Sequence, residues 1–404
     1  MRHRVLIAPS WYPAAGDAVS GVFVLDQVRA LAGSHDVAVV APRLRNRLRR
    51  LTANRDEADS GDPVYTVRPD GPFIMPRRLS WTGAIAAYAS ALEHGFRDVE
   101  KRMGRPTVIH AHVAVPAGAA AVMVGQRFGV PVVLTEHAGP FDMLLRTGSS
   151  RRAVHQALRG ARATVAVGPT LAAAITAFDP RARIEIIGNV IDTEFFSLRP
   201  EPQARSSSEV RVVTVGCGMG QKNTPSLLRA VAAAQMRGLA LDVVICGDAG
   251  ENGQVQAIAE SLGLSSTVRL IGRTDRDGIR QWMHWADVYV CSSRVETFGV
   301  AVGEAIASGL PVISTRCGGP EWLVQTGSGR LVPVEDDEAL ADAIAEAPSL
   351  IATHDRAAAR RNIVEAFSAA PITAQLTDVY DKVVGGDGSP AQITRATSQW
   401  GGQH

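Results

Sequence analysis

Two carboxylates eight positions apart, a lysine at the end of a glycine loop and histidines at strand ends are the groups in this chain whose types and spacing could do chemistry. Glu296 and Glu304 lie in the segment Ser292–Gly309, which follows the apolar run Val288–Cys291 and opens a helix near Phe298. From Val300 to Ala307 nearly every side chain is small or apolar, so that helix is predicted buried almost all round, with Glu304 at its middle. A buried carboxylate is costly unless something pairs with it or donates to it. A buried arginine, a backbone group or the hydroxyls of a ligand would each serve. The helix start at Phe298, Gly299 and Val300 offers N–H groups with no intrahelical partner, which suits an anion.

The second group is the loop Gly216-Cys217-Gly218-Met219-Gly220-Gln221-Lys222-Asn223, after the run Val212–Val215. Its small residues let the backbone approach a ligand, and Lys222 brings a compact positive charge before a helix. The glycines give GxGxG, but the last position of GxGxxG is Gln221, so a dinucleotide fingerprint fails. In the first half, His110 and His112 end one strand-like run and His137 follows another. An HxH pair shares one face and could hold a metal in a hydrolase, given further ligands after other strands. Packing against the sheet is the simpler reading for His110. Asp275-Arg276-Asp277 looks like an acidic metal motif, yet capping of the following helix by Thr274 or Asp275 explains it better.

The elements that must position these residues alternate from end to end. Short β-branched runs (Val5–Ala8, Val37–Ala41, Val108–Ile109, Val132–Thr135, Thr164–Val167, Ile184–Ile187, then Val212–Val215, Val243–Cys246, Val268–Ile271, Val288–Cys291 and Val312–Ser314) are separated by alanine-rich helical stretches. This predicts parallel sheets buried on both faces, with ligands at the carboxyl ends of the strands. Near Leu198–Glu209 proline, serine and charge replace periodicity and read as a linker between two α/β halves. The Gly- and Ser-rich stretch 386–404 reads as a disordered tail.

Net charge of +2 over 404 residues makes no case for nucleic-acid binding. Cys217, Cys246, Cys291 and Cys317 are too far apart for a metal knuckle and mark no disulfide framework, so free thiols in a reducing compartment are expected. The apolar run at the N-terminus is too short for a signal peptide and no stretch is long enough to span a bilayer, which points to the cytoplasm. Arg43, Arg45, Arg47, Arg49, Arg50 and Arg55 alternate with Leu44, Leu48 and Leu51. As a helix this segment would be amphipathic and cationic, able to lie on anionic lipid or grip an anionic acceptor; otherwise it is a solvated loop.

Glu296, Phe298-Gly299, Glu304 and Gly309-Leu310-Pro311-Val312 together resemble the signature of glycosyltransferase family 4, retaining enzymes of the GT-B fold. Gly21-Val22-Phe23, Ile109-His110-Ala111-His112, Thr135-Glu136-His137, Gly188-Asn189-Val190-Ile191-Asp192, Gly318-Gly319-Pro320-Glu321 and Gly329-Arg330-Leu331-Val332-Pro333 extend the resemblance over roughly residues 1–385. The resemblance implies an α/β GT-B fold of two Rossmann-like domains facing a cleft. The first, acceptor-side domain spans 1–193, a linker 194–209, the nucleotide-sugar domain 210–371, and a helix at 372–385 crosses back. It implies that Glu304 binds ribose hydroxyls, Glu296 contacts the donor sugar, and Gly216, Cys217, Lys222 and the amides of Phe298, Gly299 and Val300 hold the diphosphate. His112 would stand at the reacting sugar, with Gly21 and His137 on the acceptor side. The family has an arginine where this chain has Cys217, so either an arginine from elsewhere replaces that phosphate contact or diphosphate binding is weaker. No cofactor or metal is implied beyond the donor. A sugar or lipid-linked acceptor of envelope or exopolysaccharide synthesis is expected, with peripheral membrane contact through the arginine segment. A nucleotide-sugar epimerase and a non-catalytic nucleotide-sugar-binding protein are the alternatives.

Overall fold

Fifteen strands and the helices between them form two separate sheets in the computed structural model, which describes residues 1–386 except 15–16, 18, 46–52, 55–63, 73–80, 200–208, 249–252 and 325–326. The first half contributes β1 (Arg4–Pro9), β2 (Asp36–Val40), β3 (Arg43–Arg45), β4 (Ala53–Asn54), β5 (Tyr65–Pro72), β6 (Val108–His112), β7 (Val132–Glu136), β8 (Ala163–Ala166) and β9 (Ile184–Ile186). They are ordered β3-β5-β2-β1-β6-β7-β8-β9, with β4 added antiparallel to β5. The second half contributes β10 (Val210–Val215), β11 (Leu241–Cys246), β12 (Val268–Gly272), β13 (Val288–Cys291), β14 (Val312–Thr315) and β15 (Gly329–Val332), ordered β12-β11-β10-β13-β14-β15 and parallel throughout.

Both sheets start in the middle and wind outward, so each has a crevice where the strand order reverses, at β1/β6 and at β10/β13. Helices cover both faces, which is why the central strands are apolar runs rather than alternating ones: Val5, Leu6, Ile7 and Ala8 are each no more than 1% exposed. β6 runs three residues beyond its apolar part, so His110 and His112 belong to the strand itself. Its pairing with β7 sets His110 beside Val133 and His112 beside Thr135.

The cationic helix expected in the arginine segment does not form where the segment is described. Arg43–Arg45 is a strand paired with β5, and Ala53–Asn54 is another. The open edge of the first sheet supplies backbone partners there, and these outcompete an isolated amphipathic helix. Arg47, Arg49, Arg50 and Arg55 lie outside the described residues, as does the stretch 387–404. Of the segment read as a linker, residues 200–208 lie outside them too, while Phe196 and Arg199 are buried. Among the described residues no helix is long and apolar enough to cross a membrane.

The chain returns to the first domain at its end. Helix Arg356–Phe367 packs on helix Val300–Ala307 of the second half, and helix Ala369–Val384 then lies against helix Val22–Ala32 of the first. Ile372, Leu376, Val379 and Tyr380 are its buried stripe. Polar contacts fix its rotation: Tyr380 Oη lies 2.7 Å from His110 Nδ1, His35 Nε2 is 2.9 Å from Thr377 Oγ1, and His3 Nε2 is 2.8 Å from Asp381 Oδ1. Tyr380→Phe keeps the ring but leaves the His110 nitrogen buried without that partner. We expect a loss of about 1–3 kcal/mol, measured as a lower midpoint of urea unfolding at unchanged slope.

Candidate active site

The carboxyl ends of the two sheets face each other across a cavity of about 690 Å³. Val22, Phe23 and His137 line it from the first half, and Gly216, Lys222, Glu296 to Val300 and Glu304 from the second. The halves touch at its rim. Gln221 Nε2 donates to the Gly139 carbonyl at 2.8 Å, and Thr297 Oγ1 donates to the His137 carbonyl at 3.0 Å. Gly168 meets the same loop so closely that a Cβ there would lie 2.3 Å from the Thr297 carbonyl oxygen, so only glycine permits this approach.

Lys222 and Glu296 stand together on the second-half wall, Nζ to Oε1 at 2.6 Å, and Ser293 Oγ also donates to Oε1 at 2.7 Å. Burial disfavours the lysine charge, but the Glu296 carboxylate outweighs it and the ammonium titrates above the ordinary lysine range. Without a ligand, the cation expected for a diphosphate and the anion expected for a sugar thus neutralise each other. The backbone of Glu296 is held on both sides, its N–H by the Cys317 carbonyl at 2.9 Å and its carbonyl by the Gly319 N–H at 2.7 Å. Phe298 is buried against Phe367 and Trp322, and Gly299, at φ 85°, turns the chain into helix Val300–Ala307. A left-handed residue here favours glycine, and the helix start at Phe298, Gly299 and Val300 lines the cavity.

Glu304 lies one turn into that helix and is 8% exposed. Among the described residues its carboxylate accepts no hydrogen bond, although it lines the cavity. Burial raises its pKa to about 8; Arg276 opposes the shift, and Asp26 and Asp192 add to it. Arg276, a half-buried arginine, is therefore near in charge but not bonded to Glu304. It is committed elsewhere, with Nη1 2.8 Å from Asp26 Oδ1 and Nη2 3.3 Å from Asp192 Oδ2.

The histidines form a row. His110 and His112 stack at 4.4 Å between ring centres, and His112 Nδ1 lies 2.9 Å from His137 Nε2. Burial pushes His110 and His137 down to about 3 and His112 well below its usual value, so all three are neutral near pH 7. His110 has a structural place, with both nitrogens taken by Tyr380 and Thr135. It cannot join His112 on a metal without breaking them. His112, expected at the reacting sugar, is fully buried and does not line the cavity; His137 does, stacked on Phe23 at 4.6 Å. His112 Nε2 and His137 Nδ1 are buried without a partner. Extension of β6 through His112 draws that side chain into the sheet, whereas His137 sits one residue past its strand. Glu136, fully buried, positions it: its carboxylate accepts from the N–H groups of Ala114, His137 and Ala138 at 2.7–2.8 Å.

Cys217 follows β10 in the glycine loop. It is not among the lining residues; Thr224 Oγ1 lies 3.8 Å from its sulfur, and it packs at the edge of the second core. Gly21, at φ 77°, starts helix Val22–Ala32 beneath the cavity rather than lining it. Asp275 caps the next helix as read, accepting from Gly278 N at 2.9 Å. Arg29, Asn189 and Arg276 line the cavity without having been singled out. The rule that residues after strands face the cleft would have found Arg276, which follows β12, had the capping pattern not accounted for its neighbours.

Comparison with known proteins agrees with this fold. The family model described as Glycosyltransferase Family 4 matches residues 20–195, and that described as Glycosyl transferases group 1 matches residues 199–366. The chain is 30% identical over 313 residues to alpha-maltose-1-phosphate synthase of Mycolicibacterium smegmatis, covering 69% of this chain and 79% of the relative. It is 26% identical to a Bacillus subtilis protein named as the teichuronic acid biosynthesis glycosyltransferase TuaC, over 84% of this chain and 88% of the other. Among solved structures, Anabaena HepE in complex with UDP superposes with a TM-score of 0.68 at 18% identity, covering 95% of this chain and all of HepE.

The Glu304 environment has a consequence for stability. A carboxyl raised from 4.5 to about 8 holds its proton in the folded protein and loses it in the unfolded chain. It therefore removes stability as pH rises from about 4.5, and the cost is complete above about 8. Glu304→Gln carries no such cost. The variant should be the more stable at pH 8–9, by on the order of 2 kcal/mol, with the gain shrinking towards pH 5. Thermal melts of both proteins across that range check the sign and the window.

Proposed function

The chain belongs to glycosyltransferase family 4, and from that premise we propose that it transfers a sugar from a nucleoside-diphosphate-sugar to an acceptor hydroxyl, with retention of configuration and without a metal ion. The observation that carries the reading is the placement of three features in one cavity: Glu304, buried without a protein hydrogen bond; the Lys222–Glu296 pair; and the N-terminus of helix Val300–Ala307. A ribose would give Glu304 the hydroxyl donors it lacks. A diphosphate would take Lys222 and the helix amides, and would leave Glu296 free to accept from the sugar. HepE, similar in fold, was solved with UDP, which supports a diphosphate nucleotide as the donor's carrier.

In the proposed step the bond from C1 of the sugar to the β-phosphate oxygen breaks, and its electron pair stays on that oxygen. Lys222 and the amides of Gly299 and Val300 stabilise the developing charge. The acceptor oxygen bonds to C1 from the side the phosphate leaves, and its proton passes to the departing phosphate. His137, neutral and at the cavity wall, is placed to hydrogen-bond sugar or acceptor, and His112 holds His137 from behind. The absence of an arginine at position 217 leaves Lys222 as the loop's only cationic side chain, which makes transfer unusually dependent on it. We further read the acceptor as a carbohydrate or lipid-linked precursor of envelope or polysaccharide synthesis, handled on the cytoplasmic side. The teichuronic acid assignment of the Bacillus subtilis relative supports this.

Screening UDP-, GDP- and ADP-sugars for thermal stabilisation identifies the donor. With it, turnover should persist in chelator, and NMR of the product should show the donor's anomeric configuration. Lys222→Gln should lower kcat by about 10²–10³. A requirement for Mg²⁺ or Mn²⁺, or an inverted product, would contradict the mechanism; release of an epimerised donor with no acceptor present would favour an epimerase.

A further inference from the structure

Arg294 does not line the cavity, yet it holds the glycine loop that does. Its side chain is fixed by Glu335, with Nε 2.7 Å from Oε1. Its Nη1 donates to the Gly220 carbonyl at 2.7 Å and to the Met219 carbonyl at 3.1 Å. Its backbone N–H donates to the Gln221 carbonyl at 2.7 Å. Ser292 Oγ lies 3.0 Å from the Lys222 carbonyl oxygen and 3.3 Å from that of Asn223. Five consecutive carbonyls, Met219 to Asn223, are thus drawn towards the short segment Ser292–Arg294, which leads out of β13.

A planar trans peptide points its N–H away from its C=O. Turning these carbonyls towards Arg294 therefore turns the N–H groups that follow them the other way. Two of those close turns within the loop: Asn223 N donates to Gly220 O at 3.2 Å and Thr224 N to Gly218 O at 3.0 Å. The N–H groups of Gly220, Gln221 and Lys222 have no partner among the described residues, and Gln221 and Lys222 line the cavity. Successive unpaired N–H groups make a concavity suited to an anion. We infer that Arg294 is a positioning residue for the donor diphosphate. By holding the loop carbonyls away from the cavity it presents the Gly220, Gln221 and Lys222 amides to the phosphates, so that backbone donors take up the contact that Cys217 cannot make. The inference rests on the reading of a nucleoside diphosphate as the donor's carrier.

The test separates phosphate recognition from the fold of the loop. Arg294 is 38% exposed and its carboxylate partner 63%, so Arg294→Ala strands no buried charge and should melt near the wild type. The probes are whichever of UDP, GDP or ADP the wild type binds, and the parent nucleoside of that nucleotide, titrated by calorimetry and by ligand-observed NMR. Arg294→Ala should weaken the diphosphate about tenfold and the nucleoside by no more than about twofold. It should also lower kcat at saturating donor, because the same amides face the departing phosphate. Arg294→Lys keeps a cation but not the planar fork, and should fall between the wild type and Arg294→Ala. Wild-type diphosphate affinity in both variants would overturn the inference alone. Equal weakening of diphosphate and nucleoside would do the same, since Arg294 would then only fold the loop. A wild type that binds none of the three nucleotides would overturn the donor reading, and the inference with it.

Discussion

Parallel strands deliver their carboxyl ends to one side of a sheet, and two such sheets set edge-on to a common cavity must bring unpaired loop backbone, helix N-termini and the polar residues after each strand into the same small space. Everything in the candidate site follows from that constraint. Lys222 comes from the loop after β10, Glu296 from the loop after β13, Arg276 from the loop after β12, and His137 from the residue after β7. None of these side chains is near the others in sequence, and all are near in space because each ends a strand or the loop beyond it.

The charges collected there are arranged for a ligand rather than for the resting protein. Lys222 and Glu296 cancel each other across 2.6 Å. Glu304 is buried within the field of Arg276, whose guanidinium is bonded to Asp26 and Asp192, and burial raises it to about 8. A carboxyl in that state costs stability, and the cost is tolerated where a bound ligand returns it. The neighbouring polar groups are treated differently. Glu136 accepts three backbone N–H groups and His110 is bonded through both ring nitrogens, so these residues build the loops and the sheet and are not left open. Glu304 and His137 Nδ1, by contrast, are left without a partner beside the cavity among the described residues.

Much of this was legible in the residues. The alternation of apolar runs and alanine-rich helices located eleven of the fifteen strands, because a strand covered on both faces has to be apolar throughout, and it missed β3, β4, β5 and β15. Glu304 was legible as anomalous, because a lone carboxylate in a helix of small apolar residues has no cheap alternative. Lys222 was legible from its glycine loop, and Asp275 from the capping pattern. Where His112 and Cys217 lie relative to the cavity was not legible, since spacing and resemblance say which residues lie near a strand end but not whether a side chain turns into the cleft or into the sheet. Of the arginine segment only Arg43–Arg45 and Ala53–Asn54 are described, and their pairing with β5 was not legible because amphipathic spacing is silent about a sheet edge that competes for the same backbone.

What the sequence determined by itself is local: which segments are strands or helices, where the strands end, and which side chains are too polar for their surroundings. These depend on the period of the pattern and the chemistry of neighbouring residues, and need no partner from afar. Only the tertiary structure decided that Lys222 meets Glu296 from 74 positions away, that Arg276 reaches Asp26 from 250, and that Tyr380 closes on His110 from 270. Such pairs have no sequence signature. Their geometry is set by how two sheets and a returning helix pack, and packing is settled by the summed burial of many apolar side chains, not by the few charged ones it brings together.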